Sequence, residues 1–418
     1  MRGPVGVLVP VLVAASAPEL AAADDAPPVQ SLAVGDFDGD GKPDVAVGLP
    51  DQSAGKFKKA GVVRMYSGAT GAFVRQLSGT AADQAYGTSI AAVGDSDGDG
   101  ATDLAINAPF AEKSFIEFVS GKTGKRIFLF SGRAAVAWAD WLCPLGDGSG
   151  KTRVDIAMRW ASKNEWRYVY SDKEAIGMAV KDPGGYMCSS VAIGDVNKDG
   201  TPDFAIGDWA ESPSGKKAAG LIRVVSGHYL SQGKGDMDLL IIPGTHEGER
   251  LGLTIAPAGD WNGDGVPDVL AGVAGDSAKK DSSWVVRVFS GKDGAELWKA
   301  VGTAGDVSMG GVAMIGDVDG DGKPDVVVGT PATAARNGAV TALAAKDGAV
   351  LWSVKGAAKE NLGEGLYPCA DCDGDGVADV VVLAPGAAVK GTKGLGYVRF
   401  LSGKTGVALV QINPLATK

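Results

Sequence analysis

Short apolar runs rich in Val, Ile and Ala alternate along this chain with tight clusters of Asp and Gly, and SLAVGDFDGDGKPDVAVGLP at residues 31–50 is the first example. Such runs, bounded by Gly, Asp and Pro and lacking a 3.6-residue period, read as buried strands rather than helices. After each acidic loop and its second strand come two further runs. They are GVVRMYSG and AFVRQLSG in the first unit, then SFIEFVSGKTGKRIFLFSG, WVVRVFSGKDGAELWKAVG, AVTALAAKDGAVLWSVKG and YVRFLSGKTGVALVQINP. The glycines between paired runs sit where a hairpin turn needs positive φ. Each unit therefore predicts four antiparallel strands.

The acidic loop returns as GDSDGDGATD from Gly94, GDVNKDGTPD from Gly194, GDWNGDGVPD from Gly259, GDVDGDGKPD from Gly316 and ADCDGDGVAD from Ala370. A degenerate copy, GDGSGKTRVD, starts at Gly146. With the first at Gly35, these loops recur at intervals of about 48 to 65 residues, a period in the range of propeller blades. Stacking four-stranded sheets radially covers both faces of each and leaves only short edges. The expected fold is all-β, a seven-bladed β-propeller with four antiparallel strands per blade over residues 31–418. A β-solenoid or tandem β-domains fit less well, because a four-strand unit is too long for one solenoid coil.

Three elements recur around the loops. D-x-D/N-x-D-G-x-x-D runs into an apolar strand; a turn such as GLP at 48–50, NAP at 107–109, GTP at 329–331 or LAP at 383–385 follows; and an apolar or aromatic residue with Gly precedes, as Tyr86-Gly87, Leu251-Gly252 and Leu362-Gly363. This pattern resembles the FG-GAP, or VCBS-type, repeat of integrin α-subunit heads and many secreted bacterial proteins. The resemblance implies that the first-to-second and third-to-fourth strand connections share one face with calcium loops. It also implies that ligands dock on the opposite face.

The loop spacing itself points to calcium. Calcium takes six to eight oxygens in a tolerant geometry, whereas magnesium demands a near-octahedral shell and keeps its waters. Aspartates at loop positions 1, 3, 5 and 9 and a backbone carbonyl at position 7 supply such a shell, with Gly at position 6 turning the chain. In the first loop the ligands are Asp36, Asp38, Asp40, the carbonyl of Lys42, and Asp44; in the second, Asp95, Asp97, Asp99, Ala101 and Asp103. The next complete sets are Asp195, Asn197, Asp199, Thr201, Asp203 and Asp260, Asn262, Asp264, Val266, Asp268. The last two are Asp317, Asp319, Asp321, Lys323, Asp325 and Asp371, Asp373, Asp375, Val377, Asp379. Asn at position 3 keeps an oxygen and loses a charge, so those two sites are expected to empty first. An EF-hand is excluded, since position 12 is Val47 in a predicted strand rather than a glutamate before a helix. A lone acidic turn is as readily a solvated one; six copies in one frame leave calcium, at about six sites.

The degenerate loop keeps Asp147 and Asp155 but places Ser149, Lys151 and Arg153 at positions 3, 5 and 7. It is expected to be metal-free, with basic side chains neutralising the aspartates. Its GKT does not make a P-loop, because Leu145 stands where Gly is required and a strand follows.

Charge and targeting add to this picture. The net charge is −10, and about six divalent ions would bring it to roughly +2, so the acidity belongs to the sites rather than to an acidic partner surface. Residues 1–23 read as a signal peptide, with Arg2, an apolar stretch and Ala21-Ala22-Ala23 before the acidic Asp24 and Asp25, and 24–30 as a linker. No later segment is apolar enough to span a bilayer. A secreted, periplasmic or cell-surface product is expected, with no nucleic-acid partner. Cys143 and Cys188 fall at comparable places in successive units, leaving a disulfide or two buried thiols open, while Cys369 and Cys372 stand close without a second zinc-type pair.

A catalytic constellation is not evident. His228 and His246 lack a nucleophile elbow, and calcium-saturated aspartates are poor bases. Trp298 and Trp352 are placed in sheet packing. The expected partner is an extracellular protein or glycan on the face opposite the calcium loops. There the connections between second and third strands carry Lys56, Lys58, Lys59, Lys163, Lys216, Lys217, Lys279, Lys280, Lys390 and Lys393, a solvated rim or a docking face. Trp138, Trp141, Trp160 and Trp166 crowd the third unit, as core or as a sugar platform. The leading expectation is a calcium-stabilised binding or adhesion module; the alternative is a polysaccharide lyase or glycoside hydrolase on the same scaffold.

Overall fold

Strands that carry apolar residues on both faces must be covered on both, and in each unit these are the first two. In the first unit Ser31–Gly35 and Asp44–Leu49 are buried at every position, Val62–Tyr66 at all but Arg64, and Phe73–Ser78 is half-buried to exposed. Burial thus falls outward in chain order, and the same gradient recurs in the later units other than that at 139–181.

The computed structural model describes residues 31–414 except 112–113, 132–138, 147–154, 161–164, 170–175, 182–188, 234, 275–282, 304–307, 332–336 and 387–395. Its strands form four-stranded antiparallel sheets, each from one contiguous stretch: residues 31–78, 90–131, 139–181, 189–243, 254–301, 312–355 and 365–412. The architecture is an all-β propeller. Among the described residues no helix is long and apolar enough to cross a membrane.

The expectation of seven blades is corrected to six. Six sheets are like blades with a complete acidic loop between their first two strands. The sheet at 139–181 departs from them: its first pair shifts register twice, between Asp155 and Ile156 and between Arg159 and Trp160. Its loop departs in sequence as well, with Ser149 and Lys151 where the other six carry Asp or Asn at position 3 and Asp at position 5.

Apolar side chains fill the space between neighbouring sheets. Ala33, Phe37, Val63 and Met65 of the first blade pack with Ile90, Leu104 and Ile106 of the second. Leu32, Val45, Val47 and Tyr66 of the first meet Tyr367, Val381, Leu383 and Phe400 of the last. Among the described residues no sheet mixes strands of the first and last units, and the two are joined by this packing and by a polar latch. The carbonyl oxygen of Pro414 accepts hydrogen bonds from Arg64 Nη1 at 2.6 Å and Tyr66 Oη at 2.8 Å.

The recurring apolar-plus-Gly pairs make backbone contacts across blade boundaries. Tyr86, Leu251 and Leu362 donate their N–H groups to the carbonyls of Ala60, Ala219 and Asn337 of the preceding blade. The residue after each acceptor is Gly61, Gly220 or Gly338, all at positive φ. A Cβ on Gly61 would stand 2.2 Å from the Tyr86 carbonyl oxygen. Gly61→Ala therefore meets both a forbidden φ and a backbone clash, and is expected to destabilise the fold by about 3 kcal/mol or more. A denaturant midpoint unchanged from wild type would contradict this.

Candidate metal centres

All six complete loops fold alike, and each aspartate is held by main-chain N–H groups of its own loop. In the first, Asp36 Oδ1 accepts from Gly39 and Asp40, Asp36 Oδ2 from Gly41, Asp38 Oδ1 from Asp40, and Asp40 Oδ1 from Lys42. Asp95, Asp97 and Asp99 repeat the set, as do Asp317, Asp319, Asp321 and Asp371, Asp373, Asp375. In the loops of Asp195 and Asp260, the side-chain oxygens of Asn197 and Asn262 accept the same N–H, from Asp199 at 3.0 Å and Asp264 at 2.9 Å. Their amide groups in turn donate to the carboxylates of Asp199 and Asp264, at 2.9 and 3.3 Å. The turn that permits this needs glycine at positions 4 or 6, as at Gly39 and Gly41, both at positive φ.

Position 9 plays a different part. Asp44, Asp103, Asp203, Asp268, Asp325 and Asp379 are fully buried. One oxygen of each accepts the N–H of loop position 2, from Phe37, Ser96, Val196, Trp261, Val318 and Cys372. The other accepts from the connection between third and fourth strands, at Gly68, Gly121, Gly227, Gly291, Ala345 and Gly403. This carboxylate thus pins two connections of its blade together and places them at one end of the sheet. Burial pushes Asp44, Asp103 and Asp203 up to about 7, and raises Asp268, Asp325 and Asp379, against the lowering effect of those N–H donors. A cation beside them would favour the charged form.

The donor sets fit a hard divalent ion. Two oxygens on one calcium at about 2.4 Å can be no more than about 4.8 Å apart. Carboxylate oxygens of Asp36, Asp38 and Asp40 lie within 4.8 Å of one another, as do those of Asp95, Asp97 and Asp99. In two further loops the convergent sets are Asp317, Asp319, Asp325 and Asp371, Asp373, Asp379, which brings position 9 to the same point. Position 7 would contribute only its carbonyl: Ala101, Thr201, Val266 and Val377 bury their side chains, while Lys42 and Lys323 expose theirs. Neighbouring loops also touch, since Thr102 of the second donates its N–H to the carbonyl of Asp36 at 2.6 Å.

The FG-GAP repeat family matches residues 29–63 and 309–343, which include the loops of Asp36 and Asp317. The chain carries FG-GAP repeats. It is 27% identical over 248 residues to Drosophila melanogaster integrin alpha-PS2, covering 58% of this chain and 15% of that protein. It is 39% identical over 159 residues to human integrin alpha-IIb, covering 34% of this chain and 14% of that one. Bovine phosphatidylinositol-glycan-specific phospholipase D is 29% identical over 148 residues, 33% of this chain and 18% of that enzyme. The matched stretches thus span less than a fifth of each relative.

The acidic loops have partners that the loop motif does not announce. Ser120 and Ser402 donate to Asp99 Oδ2 and Asp375 Oδ2 at 2.9 and 3.3 Å, and Lys122 and Lys404 reach the main-chain oxygens of the same two residues. These come from the SGKTG hairpins. Trp352 of the blade at 312–355 donates from Nε1 to the Gly403 carbonyl at 2.7 Å, and Trp298 packs on Trp261 at 5.8 Å, so both tryptophans serve blade packing.

The remaining candidates are dispersed. His228 Nδ1 lies 3.4 Å from Thr201 Oγ1, and His246 Nδ1 lies 2.8 Å from Thr245 Oγ1. Lys56, Lys58, Lys59, Lys216 and Lys217 are exposed. Lys163, Lys279, Lys280, Lys390, Lys393, Trp138 and Cys188 lie outside the described residues, as do residues 1–30, Asp147 and the side chains of Trp141, Asp155, Trp160 and Trp166. Cys143 is a buried free thiol.

One acid outside the FG-GAP loops has an unusual environment. Glu364, just before the innermost strand of the last blade, is pushed up to about 7 by burial. Because its folded pKa exceeds the unfolded value, the folded state holds the extra proton between about 4.5 and 7, and stability falls as pH rises through that window. Glu364→Gln removes the ionisation cost. The variant is expected to gain on wild type by up to about 3 kcal/mol as pH goes from 4.5 to 8. A stability difference that does not change with pH would contradict the assignment.

Proposed function

We propose that this chain is an exported FG-GAP propeller, held by about six structural calcium ions, that binds protein or glycan partners. The observation that carries the reading is the position-9 carboxylate. It ties the acidic loop to the neighbouring hairpin in six blades and belongs to the convergent oxygen cluster in two of them. Bound calcium would supply charge neutralisation among these aspartates, and its role is structural. The likeness to integrin alpha subunits supports a binding or adhesion role. On this reading the opposite rim meets the partner, with Lys56, Lys58, Lys59, Lys216 and Lys217 exposed there to favour an anionic surface.

A screen of immobilised glycans and extracellular proteins, with and without chelator, tests the function. Binding lost on chelation and restored by calcium is expected. Calcium-independent turnover of a polysaccharide would overturn the reading. Within the set of sites, the two with Asn197 and Asn262 carry one charge less, and are expected to bind calcium several-fold more weakly. In a calcium titration of Asn197→Asp, one weak site should move into the tighter class; an unchanged isotherm would contradict that ranking.

A further inference from the structure

The last blade carries a feature that the calcium sites do not use. Cys369 and Cys372 flank Asp371, the first acid of the seventh loop, and their Sγ atoms are 3.8 Å apart. Both are free thiols. Cys369 is buried, 5% exposed, at the end of the innermost strand, and Cys372 is half-buried at loop position 2, where its N–H is fixed on Asp379 Oδ2 at 2.7 Å. Cys143, by contrast, is fully buried and lies against the carbonyl oxygen of Pro144.

A disulfide requires the two sulfurs at about 2.05 Å, and these two already stand near van der Waals contact. We propose that Cys369 and Cys372 are a redox-active dithiol that closes to a disulfide with a small disulfide of the glutathione class as oxidant. The more exposed Cys372 reacts first. Its thiolate attacks the small disulfide, forms a mixed disulfide and releases one thiol. Cys369 then gives its proton to water and attacks the Cys372 sulfur, forming the internal bond and expelling the second thiol. Two protein thiols are oxidised and one small disulfide is reduced. The closed ring contains Asp371, so both flanks of the first ligand become fixed; this consequence rests on the calcium reading, whereas ring closure itself does not.

The test uses the full chain, reduced, freed of reductant and exposed to oxidised glutathione. Intact mass and non-reduced peptide mapping are expected to give a loss of about two mass units, located to a Cys369–Cys372 link. Cys369→Ser should stop half-way and accumulate a glutathione adduct on Cys372. If that variant does not fold, the wild-type map decides alone. Wild-type protein in which both thiols still alkylate after oxidation, or in which the adduct persists on Cys372, would overturn the proposal. Calcium binding is not read in this assay, so its failure and the failure of the calcium sites are separable.

Discussion

Chelation of calcium is expected to lower the unfolding midpoint of this protein by about 10 °C. At a free concentration about tenfold above a dissociation constant of about 10⁻⁴ M, typical of extracellular modules, each site contributes about 1.4 kcal/mol. About six such sites give roughly 8 kcal/mol, and a chain of this length has an unfolding entropy near 0.8 kcal/mol/K, which sets the shift. The physical source is the crowding of three or four acids in each loop. Without a cation their burial and repulsion are only partly offset by main-chain and side-chain donors, and burial leaves Asp44, Asp103 and Asp203 raised to about 7. Magnesium at the same concentration should restore little of the loss, because its octahedral shell does not suit the loop. Scanning calorimetry with chelator, then with each ion added back, checks both statements; equal midpoints in chelator and calcium would sink the first.

Substitution at position 9 is expected to damage the fold itself, whereas substitution at position 3 removes only an ion. Asp44 accepts from Phe37, Asp38 and Gly68, all three from the main chain, and is fully buried. In Asp44→Ala these donors lose their acceptor in a site closed to water, at about 1 to 3 kcal/mol for each buried group left unpaired. A loss of about 4 kcal/mol is therefore expected even in chelator. Asp38→Ala, at a partly exposed position, should change stability in chelator by less than about 1 kcal/mol while lowering the bound calcium by one equivalent. Denaturant unfolding of the two variants in chelator separates the roles. Equal stabilities would mean that Asp44 is a ligand and nothing more.

Much of this arrangement is legible in the order of residues along the chain. A cation site built from one loop needs its ligands at fixed spacing, so Asp36, Asp38, Asp40 and Asp44 announce themselves, and apolar runs such as DVAVGL mark strands covered on both faces. Less legible is the hairpin that completes each loop. SGKTG reads as an ordinary turn, and only the fold brings the N–H of Gly121 or Gly403 onto a buried carboxylate more than a dozen residues away. The join between chain ends is similarly hidden. It depends on Tyr66, Phe400 and the carbonyl of Pro414, whose partnership has no local pattern. The third unit misleads for the opposite reason: repeat spacing counts it as a seventh blade, although Ser149, Lys151 and Arg153 already mark its loop as degenerate.

The most direct test of the account is a count of bound calcium. Native mass spectrometry of the protein equilibrated with millimolar calcium is expected to give about six ions, falling to five in Asp38→Ala. A protein that retains its fold and binds none, or whose count is unchanged by loss of Asp38, would contradict it.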